Sequence, residues 1–229
     1  MQNITKEIDL REPRKLNIKP VWNSESKILM VGSITSIDGM KCGYYYSSRY
    51  NSFWKLLDFV VLSKKEGYTF DELETLFKTD NEKFKFNSLK LRLNQNYRNN
   101  FNNDELFKSN LKEIQTEFEN ALLQNNIAIC DIFQSVYAKK GSSLDSDLIL
   151  NDKNYPFETY ETTINKIIKD SKVNIVVPNS DFVKSWLFKF KVNENQKVKI
   201  VQVASPSSAR RLKLSVKFED WKNKLLCQF

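Results

Sequence analysis

Three consecutive tyrosines, Tyr44, Tyr45 and Tyr46, open the stretch "GYYYSSRYNSFWKLL" at residues 43–57, and Ser48, Arg49, Tyr50 and Asn51 follow before an apolar run. Adjacent side chains diverge on a strand or a helix, so three tyrosines cannot all face one core. Other chemically capable residues lie elsewhere. In "VGSITS", residues 31–36, Gly32 allows a backbone to approach a ligand closely, with Ser33 beside it. That stretch lacks the spacing of a dinucleotide fingerprint or a phosphate-binding P-loop. Asn179 can offer a donor and an acceptor to one ligand edge. Lys139 and Lys140 are suited to phosphates. The chain has no histidine, which removes imidazole acid/base chemistry, histidine metal ligands and a histidine-containing triad. Cys42, Cys130 and Cys227 are far apart with no paired spacing, which argues against a zinc site or redox dithiol.

These residues need a scaffold, and the chain is long enough for one. It has 229 residues, a formal net charge of +8, 36 Lys+Arg and 16 Phe. The length fits one domain over residues 1–229 with a well-buried core, and the charge is compatible with a nucleic-acid partner. Four near-continuous apolar runs, residues 27–34, 126–133, 173–179 and 198–205, have the pattern of strands buried on both faces. Helical patterns fall at 49–62, 110–124, 158–171, 180–189 and 216–226. The alternation predicts an α/β fold, three layers α/β/α around a central four-stranded, mostly parallel sheet. Ligands of such sheets bind beyond the carboxyl ends of the strands, at 32–46, 131–147, 179–181 and 205–211. Residues 64–109, rich in Asn, Lys, Phe and Glu, read as an insertion of short helices with a polar loop, more a solvated excursion than a functional arm. The N-terminus has no signal-peptide core, and no window approaches a membrane span, so a soluble, cytoplasmic, monomeric protein is expected.

The loops gain meaning from their order. "PVWNSESKILMVGSITS", "GYYYSSRYNSFWKLL", "IAICDIFQSVYAKKGSSLDSDL", "VVPN" and "VASPSSARR" with "FEDWKNKL" together resemble the uracil-DNA glycosylase superfamily. The branch they resemble most is that of the hypoxanthine-DNA glycosylases, related to the mismatch-specific uracil enzymes. The resemblance spans most of residues 20–226, interrupted by the insertion. Its most specific parts are Tyr45-Tyr46 with Asn51, Phe53 and Trp54, and the Gly-Ser-Leu-Asp-Ser-like segment at 141–146.

The resemblance implies a monofunctional DNA glycosylase that flips a base out of DNA and hydrolyses its glycosidic bond without metal or cofactor. Single- or double-stranded DNA is the implied partner. Asn51 would orient water or stabilise the transition state. Asp38 is the nearest carboxylate of the first loop for a general base, with Asp131 as the alternative. Tyr46, with Tyr45 second, would stack on the base; Gly32, Ser33, Ser48, Asp131 and Asn179 would line its pocket. Tyr44 is expected at the surface, and Phe53 and Trp54 in the core. Ser205, Pro206, Ser207, Ser208, Arg210 and Arg211 would meet the DNA, one arginine filling the vacated space or holding a phosphate. Lys139 and Lys140 would add phosphate contacts, and Asp145 would fix its loop.

Two departures from the family pattern bear on the substrate. Ser48-Arg49 stand where the family has His-Pro, and Thr35 where a Pro is expected. Hypoxanthine, uracil or a bulkier modified pyrimidine are the bases considered. A non-catalytic nucleic-acid-binding module on the same fold and an enzyme acting on free nucleosides or nucleotides are the alternatives.

Overall fold

The computed structural model describes residues 11–15, 17–142, 144–207 and 211–226. Among the described residues eight strands are present: β1 (Arg11–Lys15), β2 (Ile28–Gly32), β3 (Ile127–Asp131), β4 (Phe133–Lys139), β5 (Leu148–Ile149), β6 (Glu158–Thr159), β7 (Ile175–Pro178) and β8 (Lys199–Ile200). The α-helices are α1 (Ile37–Cys42), α2 (Phe53–Glu66), α3 (Phe70–Thr79), α4 (Lys85–Asn100), α5 (Asp104–Gln124), α6 (Glu161–Asp170), α7 (Asp181–Lys189) and α8 (Leu214–Leu225). The central sheet has the order β3-β2-β7-β8 and every pairing in it is parallel. Strands β2, β3 and β7 are buried along their whole length, as their unbroken apolar sequences require. One apolar layer, with Trp54, Phe59, Phe118 and Trp221, covers one face; another, with Ile164, Ile167, Val183 and Leu187, covers the other. This is the three-layer α/β/α arrangement expected from the sequence.

A second sheet was not foreseen. Directly after β3 the chain passes through Ile132 into β4, which pairs antiparallel with β1, β5 and β6. Its strands alternate or are very short, so they lack the continuous apolar signature that marked the parallel sheet. The segment carrying Lys139 and Lys140, expected as a loop, is therefore the end of a strand and the turn after it.

Residues 64–109 do not form a solvated excursion. Leu73, Phe84, Phe86, Leu89 and Leu93 are buried in the same apolar layer as α2 and α5. The polar run at 94–100 continues α4 rather than forming a loop. Its polarity hides an inner face: Asn96 is buried and donates to Phe107 O at 3.0 Å. Buried Asp58 on α2 accepts from the amides of Phe86 and Asn87, at 3.0 and 2.7 Å, and so satisfies the start of α4. Among the described residues no helix is long and apolar enough to cross a membrane.

Candidate active site

Beyond the carboxyl ends of β2, β3 and β7 lies a cleft of about 700 Å³. Ser33, Asp38, Tyr46, Ser48, Asn51, Asp131, Asn179, Ser205 and Ser207 all line it, although they come from five separate segments of the chain. Thus nine of the residues singled out from sequence meet at one place.

The floor is built around a glycine. A Cβ on Gly32 would lie 2.3 Å from Asp131 Oδ1 and 2.5 Å from the Tyr46 hydroxyl, so only glycine lets these two groups close over the end of β2. Asp131 is 2% exposed. The Thr35 hydroxyl donates to its Oδ2 at 2.9 Å. Burial pushes the Asp131 carboxyl up to about 7, against the opposing hydrogen bonds from Thr35. The departure at Thr35 thus has a structural counterpart: proline has no hydroxyl and no N–H to give this carboxylate.

Tyr46 adopts the left-handed backbone region, φ 49°. Its ring stacks on Phe53 with centroids 4.0 Å apart. Its hydroxyl accepts from Asn179 Nδ2 at 3.1 Å, and burial raises its pKa well above the ordinary tyrosine value. Asn179 Oδ1 is buried and has no hydrogen-bond partner among the described residues. Nearby, Asp145 accepts from Ser180 Oγ at 3.3 Å, and burial raises its pKa against hydrogen bonds from Ser33 and Ser180. Ser180 also caps α7, so Asp145 ties its own loop to that helix.

Asn51 sits where the tyrosine loop becomes α2. Its Oδ1 accepts from Phe53 N at 2.9 Å, and its N–H donates to Ser48 O at 3.0 Å. This tight turn delays the helix from the expected residue 49 to Phe53. Underneath, buried Lys90 of α4 donates to Asn51 O at 2.5 Å and to Arg49 O at 3.4 Å. Burial lowers the Lys90 amine to about 8. Neither Lys90 nor its neighbour Asn94, which donates to Ser47 O at 2.9 Å, was anticipated. A lone lysine in a polar segment gives no sequence sign of pointing inward.

Several expectations need correction. Tyr45 is fully buried, packs edge-on against Tyr44, and does not line the cleft. Tyr44 is not at the surface either: it stacks on Phe118 in the core with centroids 4.6 Å apart. The positive φ at Tyr46 turns the chain so that its two predecessors enter the core. Pro206 is buried, and its carbonyl accepts from Ser52 N at 3.1 Å and Ser52 Oγ at 2.8 Å, so it anchors its loop to the tyrosine loop. Lys139 and Lys140 are exposed and do not line the cleft, though Gly141 does. Asp38 lines the cleft from the first turn of α1 and is exposed. Tyr50, 60% exposed, also lines the cleft, with the Arg49 guanidinium 4.4 Å from its ring centroid. Arg211 is exposed, whereas Ser208 and Arg210 lie outside the described residues.

No family model matches the chain, and no curated protein matches it. Among solved structures it is similar to the solution NMR structure of a "putative Uracil DNA glycosylase" from Methanosarcina acetivorans. The two share 16% identity over 93% of this chain and 96% of that one, with a TM-score of 0.53. At that identity the likeness is one of fold.

Proposed function

We propose that the protein is a monofunctional DNA glycosylase that takes a damaged or modified base into the cleft and hydrolyses its glycosidic bond, leaving an abasic site. The observation that carries this reading is the convergence of Tyr46, Asn51, Asp131 and Asn179 in one cleft at the strand ends. The fold shared with the Methanosarcina protein supports it.

In this reading the extruded base stacks against Tyr46, whose ring is held by Phe53. Asn51, fixed by the turn before α2, positions water or stabilises charge as the bond breaks. Of the two carboxylates open as proton-handling groups, Asp131 is the stronger candidate. It is buried against the floor, while Asp38 is exposed to water. Ser48, smaller than a histidine, leaves room at the wall for a substituent. The loop bearing Ser205, Ser207 and Arg211 meets the DNA backbone, with Lys139 and Lys140 as further cations.

Alkali cleavage of DNA incubated with the protein tests the proposal. Strand breaks at the position of a modified base are expected only after incubation. Retention of DNA without any abasic site would instead favour the binding module, and release of bases from free nucleosides alone would favour the nucleoside enzyme.

A further inference from the structure

The segment 64–109 forms a helical hairpin whose far end serves neither the core nor the cleft lining. Helix α4 starts beside α2, where Asp58 holds its first amides, and runs back towards the strand ends. Lys90 reaches Asn51 O, and one turn further on Asn94 reaches Ser47 O at 2.9 Å. The helix then continues past the tyrosine loop to Asn100, and α5 returns from Asp104 to lay Leu111 and Gln115 against Gly43. At 1.5 Å per residue, the seven residues from Asn94 to Phe101 carry the apex about 10 Å beyond that loop. The apex therefore stands on the side of the molecule where the cleft opens, outside the wall that the tyrosine loop makes.

The asparagines of the apex tie it together. Buried Asn96 donates to Phe107 O at 3.0 Å, and its Oδ1 accepts from Asn100 and Asn110 at 2.9 and 3.2 Å. Asn103 caps α5 by accepting from Leu106 N at 3.1 Å. Tyr97 meets the rings of Phe101 and Phe107 with centroids 6.0 and 6.4 Å away. On this braced turn Phe101 is 56% exposed and Leu106 46%. A single exposed ring is ordinary; this one has cations beside it on the way to the cleft. Burial and Asp38 raise the Cys42 thiol while Arg98, Lys90 and Lys41 oppose them, so these charges share one neighbourhood at the end of α1. Arg98 is exposed, and Lys41 lines the cleft itself. The acidic side chains of the apex, Asp104 and Glu105, lie in the first turn of α5, where a helix end favours them, and Lys108 offsets Asp104 at 3.3 Å.

We infer that the α4–α5 hairpin is a DNA-binding arm: the strand that delivers the extruded nucleotide leaves the cleft past Lys41, Arg98 holds a phosphate, and Phe101 stacks on a flanking base. The inference rests on the reading that DNA enters the cleft. Cations leading from the cleft rim to a rigid aromatic match a polyanion with stacked rings, and stacking of this kind tolerates any base. With one base step per 3.4 Å of strand, a reach of about 10 Å puts Phe101 about three nucleotides from the target.

The test titrates the full-length protein with oligonucleotides carrying a stabilised abasic site, a tetrahydrofuran residue, as duplexes and as single strands. Fluorescence anisotropy across a salt series gives the affinity, with each flank of the site shortened in turn. Phe101→Ala should lose about fivefold in affinity at an unchanged salt slope, because stacking moves no counterion. Arg98→Gln should make the slope shallower by about 0.9 on duplex and about 0.7 on a single strand. Both deficits should vanish when one flank, and not the other, is cut to fewer than about three nucleotides. Lys83→Gln, which removes an exposed cation just before the start of α4, should leave the slope as it is. Deficits that ignore flank length, an equal change of slope in Lys83→Gln, or parental behaviour of Phe101→Ala and Arg98→Gln would each overturn the arm. The assay reads binding alone, so it separates the two proposals. Flank-dependent deficits in a protein that releases no base from any DNA would remove the glycosylase reading and leave the arm as part of a binding module.

Discussion

Two loops shape the cleft, and they are held in different ways. The tyrosine loop, residues 43–52, is clamped along its whole length. Gln115 donates to Gly43 O at 2.7 Å, Trp54 Nε1 to Tyr45 O at 2.9 Å, Asn94 to Ser47 O at 2.9 Å, and Lys90 to Asn51 O at 2.5 Å. The loop after β8 has a similar set of anchors on its inner half. Trp221 Nε1 donates to Ala204 O at 2.7 Å, Ala204 N to Asp220 Oδ2 at 2.6 Å, and buried Lys217 to Ser207 O at 2.8 Å. Beyond it, Arg211, Leu212 and Lys213 stand exposed at the start of α8. Each loop therefore uses a tryptophan N–H and a buried lysine to satisfy its carbonyls. The first ends on a fixed amide, Asn51; the second ends on cations open to solvent. Fixed geometry suits a group that acts on a transition state, and exposed charge suits the gripping of a large anionic partner.

The largest effect should fall on the first loop. Asn51→Ala is expected to lower base release by at least about 100-fold, the scale of losing a preorganised transition-state group, with little change in DNA affinity. Single-turnover rates and filter binding measured side by side would check it. If affinity fell and the rate did not, the division between the loops would be wrong. Lys90→Met comes next. It removes the donor from two loop carbonyls without touching the cleft lining, and should lower the single-turnover rate about tenfold while leaving affinity unchanged. Lys90→Arg, which keeps the donors, should recover part of that loss; recovery by Met as well would make Lys90 mere filling.

A third test concerns the floor that both loops face. The folded protein holds a proton on Asp131 up to about pH 7, whereas an unfolded aspartate loses it near about pH 3.9. The folded state therefore binds more protons between those values, and its stability falls as pH rises through that window. Asp131→Asn should flatten this fall, so that the melting temperatures of the two proteins converge towards low pH and the variant gains a few degrees above pH 7. Asp58, pushed up to about 8 by burial, acts in the same direction in both proteins and cancels from the difference. Parallel melting curves across pH 4 to 8 would mean that Asp131 is ionised in the fold.

The sequence exposed this site unevenly. Runs such as "ILMVG" and "IAICD" are apolar on both faces, so the parallel sheet and the loops at its ends could be read directly. Asn51 and Tyr46 were singled out by the resemblance of their motif, with Phe53 and Trp54, to the uracil-DNA glycosylase superfamily, and both line the cleft. What stayed hidden depends on side chains whose direction local pattern does not encode. One left-handed residue, Tyr46, decides which tyrosine reaches the cleft. Lys90 and Asn94 belong to the segment 64–109 that reads as a solvated excursion, yet their donors serve carbonyls some 40 to 50 residues earlier in the chain, at separations of 39, 41 and 47. The short strands β5 and β6, two residues each, are too brief for any periodicity to show.

The smallest effect is expected at the outer loop, and it carries the most information about how that loop is used. Arg211 is exposed and makes no contact with the floor of the cleft, so Arg211→Ala should leave the single-turnover rate at saturating DNA within about twofold of the parent. Its loss should appear in affinity, by a few-fold at low salt. An arginine that neutralises one phosphate releases about one counterion, so the slope of log affinity against log salt should become shallower by about 0.9 on duplex DNA and about 0.7 on a single strand. The comparison is sharpest with Lys217→Met, which disturbs the same loop from below without removing an exposed charge. That variant should weaken binding with an unchanged slope, because its effect is on loop geometry and not on the ion count. If Arg211→Ala also left the slope unchanged, the loop after β8 would have no phosphate contact through this residue, and the exposed cations at Lys139 and Lys140 would be the next to replace.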